Sequence, residues 1–384
     1  METIKQAIRE NRAYFCLDCG KCTSVCPISW REPGFSPRAI VEAVRLDDNG
    51  QVLHSDYLWA CLTCGRCIQV CPSDVHFLSF VRDVRTLARD VYDEEGPCSH
   101  GAVVQTWMRM MANPTLKQNR LDWLTDGLRT SEPGESDTVY FVGCLPYYET
   151  LFDKIGAQGV EIAQSAVKVL NHLGIEPIVL ADERCCGHDL LWEGEVDTFQ
   201  KLAALNTKRL RATGAKQIVT TCPECARTLK MDYDLGMDVL HITELLAENE
   251  LQISNLQPPT SNLQLTYQDP CRLGRHLGVY DAPRQVMAAL GLELVEMEHS
   301  GARALCCGTS AWTRCGATAK CIQVDRLRQA SATGAEVLVT TCAKCQIHFK
   351  CAQNDPRLDD ELRIEIKDLT VLVAEAIDKS ANPF

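Results

Sequence analysis

The sequence predicts an α+β protein of several domains, in which a helical N-terminal domain precedes two duplicated α/β domains. Residues 1–100 carry one cysteine pattern twice, with a helix signal between the two copies that starts at Ser36 and Pro37. From about residue 138 onwards the chain repeats itself, and each repeat alternates strand-like and helix-like segments. Because strands that alternate with helices form parallel sheets covered by helices, we expect a parallel sheet in each repeat.

The N-terminal domain is predicted over residues 1–100 from two motifs that both read C-x2-C-x2-C-x3-C-P. Three thiolates at this spacing surround one face of an iron–sulfur cube, and the fourth usually ligates the neighbouring cluster. The motifs therefore predict two [4Fe–4S] cubane clusters, and zinc or free thiols are the weaker alternative. Gly20 and Gly65 let the backbone pass close to the sulfur atoms. The first cluster is assigned Cys16, Cys19, Cys22 and Cys71, and the second Cys61, Cys64, Cys67 and Cys26.

A helical linker is predicted over residues 101–137, followed by one repeat over 138–260 and another over 261–384. The clearest sign of duplication is ATGAKQIVTTCPEC, which ends at Cys225 and recurs as ATGAEVLVTTCAKC, which ends at Cys345. The distance between the two copies is too long for the repeat unit of a solenoid, so it indicates a duplicated domain. The strand candidates are 139–143, 177–181, 217–221 and 238–242 in the first repeat, and 264–269, 292–297, 337–341 and 363–367 in the second.

Each repeat holds a lone cysteine, a Cys-Cys-Gly sequence and a C-x-x-C sequence. Five thiolates are one more than a cubane cluster or a tetrahedral zinc ion requires. Several of these cysteines directly follow a predicted strand, and ligands of parallel sheets gather beyond the carboxyl ends of the strands. Three alternatives stay open: two clusters, one cluster and one zinc ion, or buried structural thiols. The first set is Cys144, Cys185, Cys186, Cys222 and Cys225, and the second is Cys271, Cys306, Cys307, Cys342 and Cys345.

Composition favours metal sites over disulfides. The chain has 384 residues, 46 % of them hydrophobic, so its core needs no disulfide support even though it contains 22 cysteines. Its first residues are charged and no long apolar run follows, so we expect a cytoplasmic protein without a transmembrane segment. A net charge of −12 argues against nucleic acid as a partner.

With these motifs, the chain resembles the CCG-domain iron–sulfur proteins, and within them the D subunit or a fused C–B subunit of heterodisulfide reductase. The long spacer between the N-terminal motifs is similar to the α-helical ferredoxins of succinate dehydrogenase and of the C subunit of heterodisulfide reductase. The two Cys-Cys-Gly sets are similar to those of its B and D subunits, and so is the stretch DPCRLGRHLGVYDAPRQVM from Asp269. The resemblance covers nearly the whole chain.

The resemblance implies an α-helical ferredoxin-like domain followed by two Rossmann-like CCG domains. It also implies that the ten cysteines of the two sets hold two noncubane [4Fe–4S] clusters as the catalytic site, with Gly187 and Gly308 in the cofactor-binding segments. The implied function is reduction of a small disulfide, or a similar substrate, by single electrons that pass from a partner through the cubanes. The implied partner is a flavin- and iron–sulfur-containing A-like subunit, or another electron-donor protein, in a hetero-oligomer.

A pure electron conduit is the alternative function. It would link a flavoprotein, such as a bifurcating A-like subunit or a hydroxy-acid dehydrogenase, to a quinone, a ferredoxin or another reductase such as a benzoyl-CoA reductase complex. The chain has no G-x-G-x-x-G and no G-x-x-x-x-G-K-[ST], so electrons are expected to arrive singly from another protein. His188 and His276 are candidate proton donors near the clusters. The cysteines outside both patterns, expected to be small buried side chains, are Cys98, Cys315, Cys321 and Cys351.

Overall fold

The computed structural model describes residues 2–46, 51–92, 96–259 and 264–381. The predicted junction between the repeats, at residues 260 and 261, and the last residue of the second repeat lie outside this part. The α-helices are α1 (Glu2–Glu10), α2 (Lys21–Ser24), α3 (Pro37–Leu46), α4 (Asp56–Ala60), α5 (Phe77–Tyr92), α6 (Val103–Met111), α7 (Leu145–Leu151), α8 (Gly159–His172), α9 (His188–Glu193), α10 (Val196–Ala212), α11 (Pro223–Met231), α12 (Ile242–Glu248), α13 (Glu250–Ile253), α14 (Gly274–Leu277), α15 (Asp281–Ala289), α16 (Ala317–Ser331), α17 (Ala343–Gln353) and α18 (Leu369–Ala381). The strands are β1 (Thr138–Tyr140), β2 (Gln217–Thr220), β3 (Asp238–His241), β4 (Gln264–Gln268), β5 (Glu293–Leu294), β6 (Val337–Thr340) and β7 (Glu365–Asp368).

The chain forms two compact units, each built from three separate segments. The first unit comprises Met1–Asn113, Gly187–Lys201 and Gly308–Ile322, and the second comprises Pro114–Cys186, Leu202–Cys307 and Gln323–Phe384. The chain therefore returns to the first unit directly after Cys186 and again directly after Cys307. Nothing in the spacing of the motifs indicates these two returns.

The described residues of the first unit form helices joined by turns and loops, and no strand lies among them. Helix α3 begins at Pro37, where the fixed φ of proline suits the first helical position, and it buries Ile40, Val41 and Val44. Arg85 of α5 is fully buried and donates to the backbone carbonyls of Leu58 at 2.9 Å, Cys61 at 2.9 Å and Trp192 at 2.8 Å. A buried guanidinium needs several acceptors, so this side chain fastens the second cysteine motif and the segment from Gly187 to one helix.

The second unit contains two parallel sheets. One has the order β1-β2-β3, with Ile178 bridged to Val139 on the outer side of β1, and the other has the order β5-β4-β6-β7. The two sheets have the same order if Ile178 is taken as the equivalent of β5. In each sheet an outer bridging segment then lies beside the first strand, which is followed by the strand that precedes C-x-x-C and by the last strand. These sheets and the helical first unit confirm a mixed helix and parallel-sheet fold, while the Rossmann-like assignment of each repeat stays a prediction.

Two of the predicted strands are much shorter than expected. Within the predicted strand 177–181, only Ile178 forms β-bridges. Its amide donates to the carbonyl of Thr138 and its carbonyl accepts from the amide of Tyr140, both at 2.9 Å. Of 292–297 only Glu293 and Leu294 form β5. Ile178 bridges Ser131 on one side and Val139 on the other through one residue each, and β5 pairs with β4 over two residues.

The two repeats pack against one another through reciprocal helix pairs. Helix α8, which follows the first strand of its sheet, contacts α18, which follows the last strand of the other sheet. Helices α15 and α12 make the same kind of contact with the roles of the repeats exchanged. Reciprocal contacts of this kind are what an approximate twofold relation requires. No described helix of either unit has the length and apolar run that crossing a bilayer demands.

Candidate metal centres

Four cysteines of the first unit line one small cavity. Cys61, Cys64 and Cys67 come from the second motif and Cys26 comes from the first. Burial raises the pKa of the Cys26 thiol to about 12 and that of Cys67 well above its ordinary value. A neutral thiol is a poor ligand, so thiolates at this position require a cation to balance their charge. Four sulfur donors around one buried cavity fit a [4Fe–4S] cluster.

The other four motif cysteines lie nearer the surface of the first unit. Cys19 is exposed, and Cys16, Cys22 and Cys71 are partly exposed. Helix α2, which contains Cys22, contacts the 3-10 turn Ile68–Val70 that ends at Cys71. Gly20 has φ +77° and Gly65 has φ +81°, a left-handed conformation that glycine adopts without strain. The backbone thus turns sharply at both glycines, while their close approach to cluster sulfur atoms stays a prediction.

The first five-cysteine set converges at the carboxyl ends of β1 and β2 in the second unit. The sulfur atoms of Cys144 and Cys185 lie 3.4 Å apart, and so do those of Cys186 and Cys225. Cys222 is the residue before α11 and sits beside Cys225. The neighbouring thiols and burial raise the pKa of Cys144 and of Cys225 well above the usual value. Five buried or half-buried sulfur atoms so close together suit a site that holds several metal ions.

A buried ion pair supports the loop that carries Cys144. Glu183 accepts the backbone N–H of Val142 at 3.0 Å and that of Gly143 at 2.7 Å, and it lies 3.4 Å from Arg120. Arg120 also donates to the carbonyl of Gly143. Burial raises the pKa of Glu183 to about 7, although Arg120 and the two N–H groups oppose the shift. The loop after β1 is thereby held from both sides of its backbone.

The second five-cysteine set differs from the first by a histidine. Cys307 is hydrogen-bonded to Cys306 and Cys345, and His348 Nδ1 lies 3.2 Å from its sulfur. Hydrogen bonds from Cys306 and Cys345 and the charge of His348 hold the pKa of Cys307 well below the usual thiol value. Aligning the repeats puts Thr228 at the position of His348. His348 is not among the histidines predicted from the sequence, His188 and His276, although the aligned repeats distinguish it from Thr228.

A buried ion pair joins the two C-x-x-C turns. Lys344 Nζ lies 2.6 Å from Glu224 Oε2, and the two side chains are only 3 % and 11 % exposed. Each residue stands third in the C-x-x-C sequence of its own repeat, between Cys222 and Cys225 or between Cys342 and Cys345. The pKa of Cys342 is also raised by burial and by the charges of Cys222 and Glu224 across the same junction. The two five-cysteine sets therefore face each other. The opposite charges of CPEC and CAKC are the feature of the sequence from which this ion pair could have been predicted.

The two candidate histidines lie in different units. His276 Nε2 accepts from Arg272 at 2.7 Å in the second unit, while the buried His188 opens α9 in the first. The expected burial of the extra cysteines was wrong: Cys321 is exposed, and Cys98, Cys315 and Cys351 are partly exposed. Helix α16 turns Ala319 and Ile322 inward, which leaves Cys321 on its outer side. Cys98 and Cys315 line a cavity of about 580 Å³ within the first unit.

Comparisons with known proteins agree with this geometry. The "Cysteine-rich domain" family (CCG) matches residues 138–230 and 265–350, and the "4Fe-4S dicluster domain" family matches residues 12–75. The D subunit of the dihydromethanophenazine:CoB–CoM heterodisulfide reductase of Methanosarcina barkeri is 30 % identical, over 96 % of this chain and 94 % of its own. Two relatives match a smaller part, each at 30 % identity. They are the B subunit of the fumarate reductase (CoM/CoB) of Methanothermobacter marburgensis, over 60 % of this chain and 45 % of its own, and the EtfAB:quinone oxidoreductase of Syntrophomonas wolfei, over 55 % and 30 %.

Proposed function

Because the chain belongs to the family of heterodisulfide reductase D subunits, we propose that it is the electron-transferring subunit of a complex that reduces a small disulfide or a chemically similar substrate. Membership of this family makes the chain an iron–sulfur subunit of an electron-transfer oxidoreductase. Beyond that, we propose the substrate class, the cluster types and the partner.

The cysteines of the two units would hold different kinds of cluster. In the first unit, Cys16, Cys19, Cys22 and Cys71 would hold one cubane cluster, and Cys26 would join Cys61, Cys64 and Cys67 in holding the other. In the second unit, the two five-cysteine sets would each hold a noncubane cluster. When bound, these groups would supply one-electron carriers, which suits a chain without a recognisable flavin or nicotinamide motif.

The facing arrangement of the two five-cysteine sets is the observation that carries the proposal. Reduction of a disulfide consumes two electrons and two protons and releases two thiols. The Glu224–Lys344 ion pair keeps two sulfur-rich sites together in one unit, one for each half of such a substrate. The proximity of His348 to Cys307 makes the two sites chemically unequal, which is appropriate for a substrate with two different halves.

An electron conduit without its own substrate is the second candidate. The similarity to the EtfAB:quinone oxidoreductase of Syntrophomonas wolfei favours it, because that protein is named as an oxidoreductase between EtfAB and a quinone. In that case the five-cysteine sets would pass electrons to another protein or to a quinone.

Replacing one cysteine in each five-cysteine set tests the proposal. We expect Cys186→Ser or Cys307→Ser to abolish reduction of a disulfide by the anaerobically purified protein with a reduced viologen as donor. The electron paramagnetic resonance signals of the two cubane clusters should persist, because their ligands lie in the other unit. The exposed Cys321→Ser is the control and should leave turnover unchanged. Turnover that survives both replacements would contradict the proposal, and a wild-type protein that reduces no disulfide would favour the conduit.

A further inference from the structure

The two N-terminal cysteine motifs share a sequence pattern but differ in exposure. Each has an aromatic residue two positions before its first cysteine and a leucine directly after it. In the second copy, Trp59 is 4 % exposed and Leu62 is 8 % exposed. In the first copy, Tyr14 is 51 % exposed and Leu17 is 70 % exposed. The same apolar pattern is therefore buried in the second copy and exposed to solvent in the first.

The chain itself covers the second copy, within the first unit. Ser310 and Thr63 share a hydrogen bond of 2.8 Å between their hydroxyl oxygens, and Thr313 donates to the carbonyl of Trp59 at 3.4 Å. Arg314 donates to the carbonyl of Asp56 at 2.9 Å. The covering segment is thus Gly308–Ile322, which joins this unit after the second Cys-Cys-Gly sequence.

The first copy leaves four neighbouring residues of the sequence exposed, Tyr14, Phe15, Leu17 and Cys19, which we call the first-motif face. All four side chains are exposed, Phe15 to 60 %. Large apolar side chains that stay bare beside an exposed cysteine of a cluster motif mark an interaction site rather than a solvated surface. We propose that the first-motif face is the docking surface for the protein that delivers electrons to the chain, a step that rests on the proposed function.

The charges around the first-motif face indicate the chemistry of that protein. Around it, Arg12 pairs with Asp74 at 3.9 Å and Arg38 pairs with Asp18, while Lys21 and Arg45 are further exposed cations, so the surroundings are basic although the chain as a whole has a net charge of −12. The guanidinium of Arg12 lies 5.4 Å from the ring centre of Phe15, and Arg45 donates to the carbonyl of Cys16 at 3.5 Å. Cations at the rim of an apolar centre favour a partner with an acidic rim. The occupant is therefore an acidic one-electron carrier whose redox group lies close to its surface.

The docking surface can be tested by measuring, with calorimetry at low ionic strength, how tightly an acidic ferredoxin binds to the oxidised holoprotein. We expect Leu17→Glu to weaken binding by at least about tenfold, as for a central interface residue, and Leu17→Lys to weaken it less. Phe15→Glu, outside the cysteine spacing, should behave as Leu17→Glu does. Leu251→Glu is the matched control, because Leu251 is 83 % exposed in the second unit, and it should leave binding unchanged.

Reduction kinetics separate docking from cluster damage and from the disulfide chemistry. The rate at which reduced ferredoxin bleaches the iron–sulfur absorbance should fall with the binding affinity, while reduction by a viologen stays at the wild-type rate. Neither measurement requires a disulfide. The docking surface can therefore be confirmed even if the protein does not reduce the proposed substrate. Wild-type binding by both glutamate variants, or no binding by the wild type, would overturn the inference. So would a self-association of the chain that Leu17→Glu abolishes, because the occupant would then be a second copy.

Discussion

The Glu224–Lys344 ion pair joins the two C-x-x-C turns directly. Both side chains are almost completely buried, and their charged atoms lie 2.6 Å apart. Removing one partner of a buried pair leaves an uncompensated charge in the interior, which costs far more than the net contribution of the pair. The pair therefore fixes the junction more by the penalty for breaking it than by its own attraction.

Removing the lysine should destabilise the protein strongly. We expect Lys344→Met to lower the free energy of unfolding by about 3–5 kcal/mol, measured anaerobically in urea, and Glu224→Met with Lys344→Met to recover part of that loss. Lys216→Met is the control, because Lys216 and Asp137 form a solvent-exposed pair of similar length, 2.8 Å. A loss for Lys344→Met no larger than that for Lys216→Met would show that the junction does not depend on this pair.

Gly143 is the second residue whose identity matters for the first five-cysteine set. Its φ is +66°, and a Cβ built on it would lie 2.9 Å from the sulfur of Cys225. Gly174 has φ +77° with no atom within 4 Å of such a Cβ, so it isolates the backbone effect. We expect Gly143→Ala to lower the iron content per chain and Gly174→Ala to leave it unchanged. Equal iron in the two variants would mean that the loop after β1 adjusts without moving a ligand.

At the scale of elements, equivalent helices of the two repeats begin in the same way with different chemistry. His241 precedes α12, and its Nδ1 accepts from the amide of Thr243 at 3.3 Å. Asp368 precedes α18 and accepts from the amide of Thr370 at 2.8 Å. Both residues satisfy an N–H group that the helix leaves without an intrahelical acceptor.

The histidine cap should make stability depend on pH. Burial lowers the pKa of His241 to about 4, against about 6.5 in the unfolded chain. A lowered folded-state pKa means that the stabilisation is complete above pH 6.5 and is lost as the pH falls towards 4. Between about pH 7.5 and 5.5 this group should remove about 1.3 kcal/mol of unfolding free energy. His241→Asn keeps a cap and should remove this part of the pH dependence in urea titrations, and an unchanged pH dependence would exclude His241 as its source.

The elements that the sequence analysis predicted best are those with a strong local signal. Buried parallel strands are continuous apolar runs, as in Val337–Thr340, and they appear as expected. The segment around Ile178 has the same composition, but it forms only single-residue bridges, to Ser131 and to Val139. Local composition therefore predicts where a strand can form, while its length depends on neighbours that are distant in the sequence.

At the scale of the whole molecule, the sequence predicted both pairs of cysteine sets but not how the chain is divided. Cysteine spacing reflects metal geometry directly, so the motifs are readable from the sequence alone. The returns of Gly187–Lys201 and Gly308–Ile322 to the first unit depend on contacts such as that between Arg85 and the Trp192 carbonyl, which are more than 100 residues apart along the chain. A pairing at such separation has no local signature.

That both five-cysteine sets hold iron–sulfur clusters is tested most directly by elemental analysis of the anaerobically purified chain. Two cubane and two noncubane clusters of four irons each predict about 16 iron atoms per chain and no zinc. About 8 iron atoms with one zinc ion would contradict this, because it would leave only the clusters of the first unit in place.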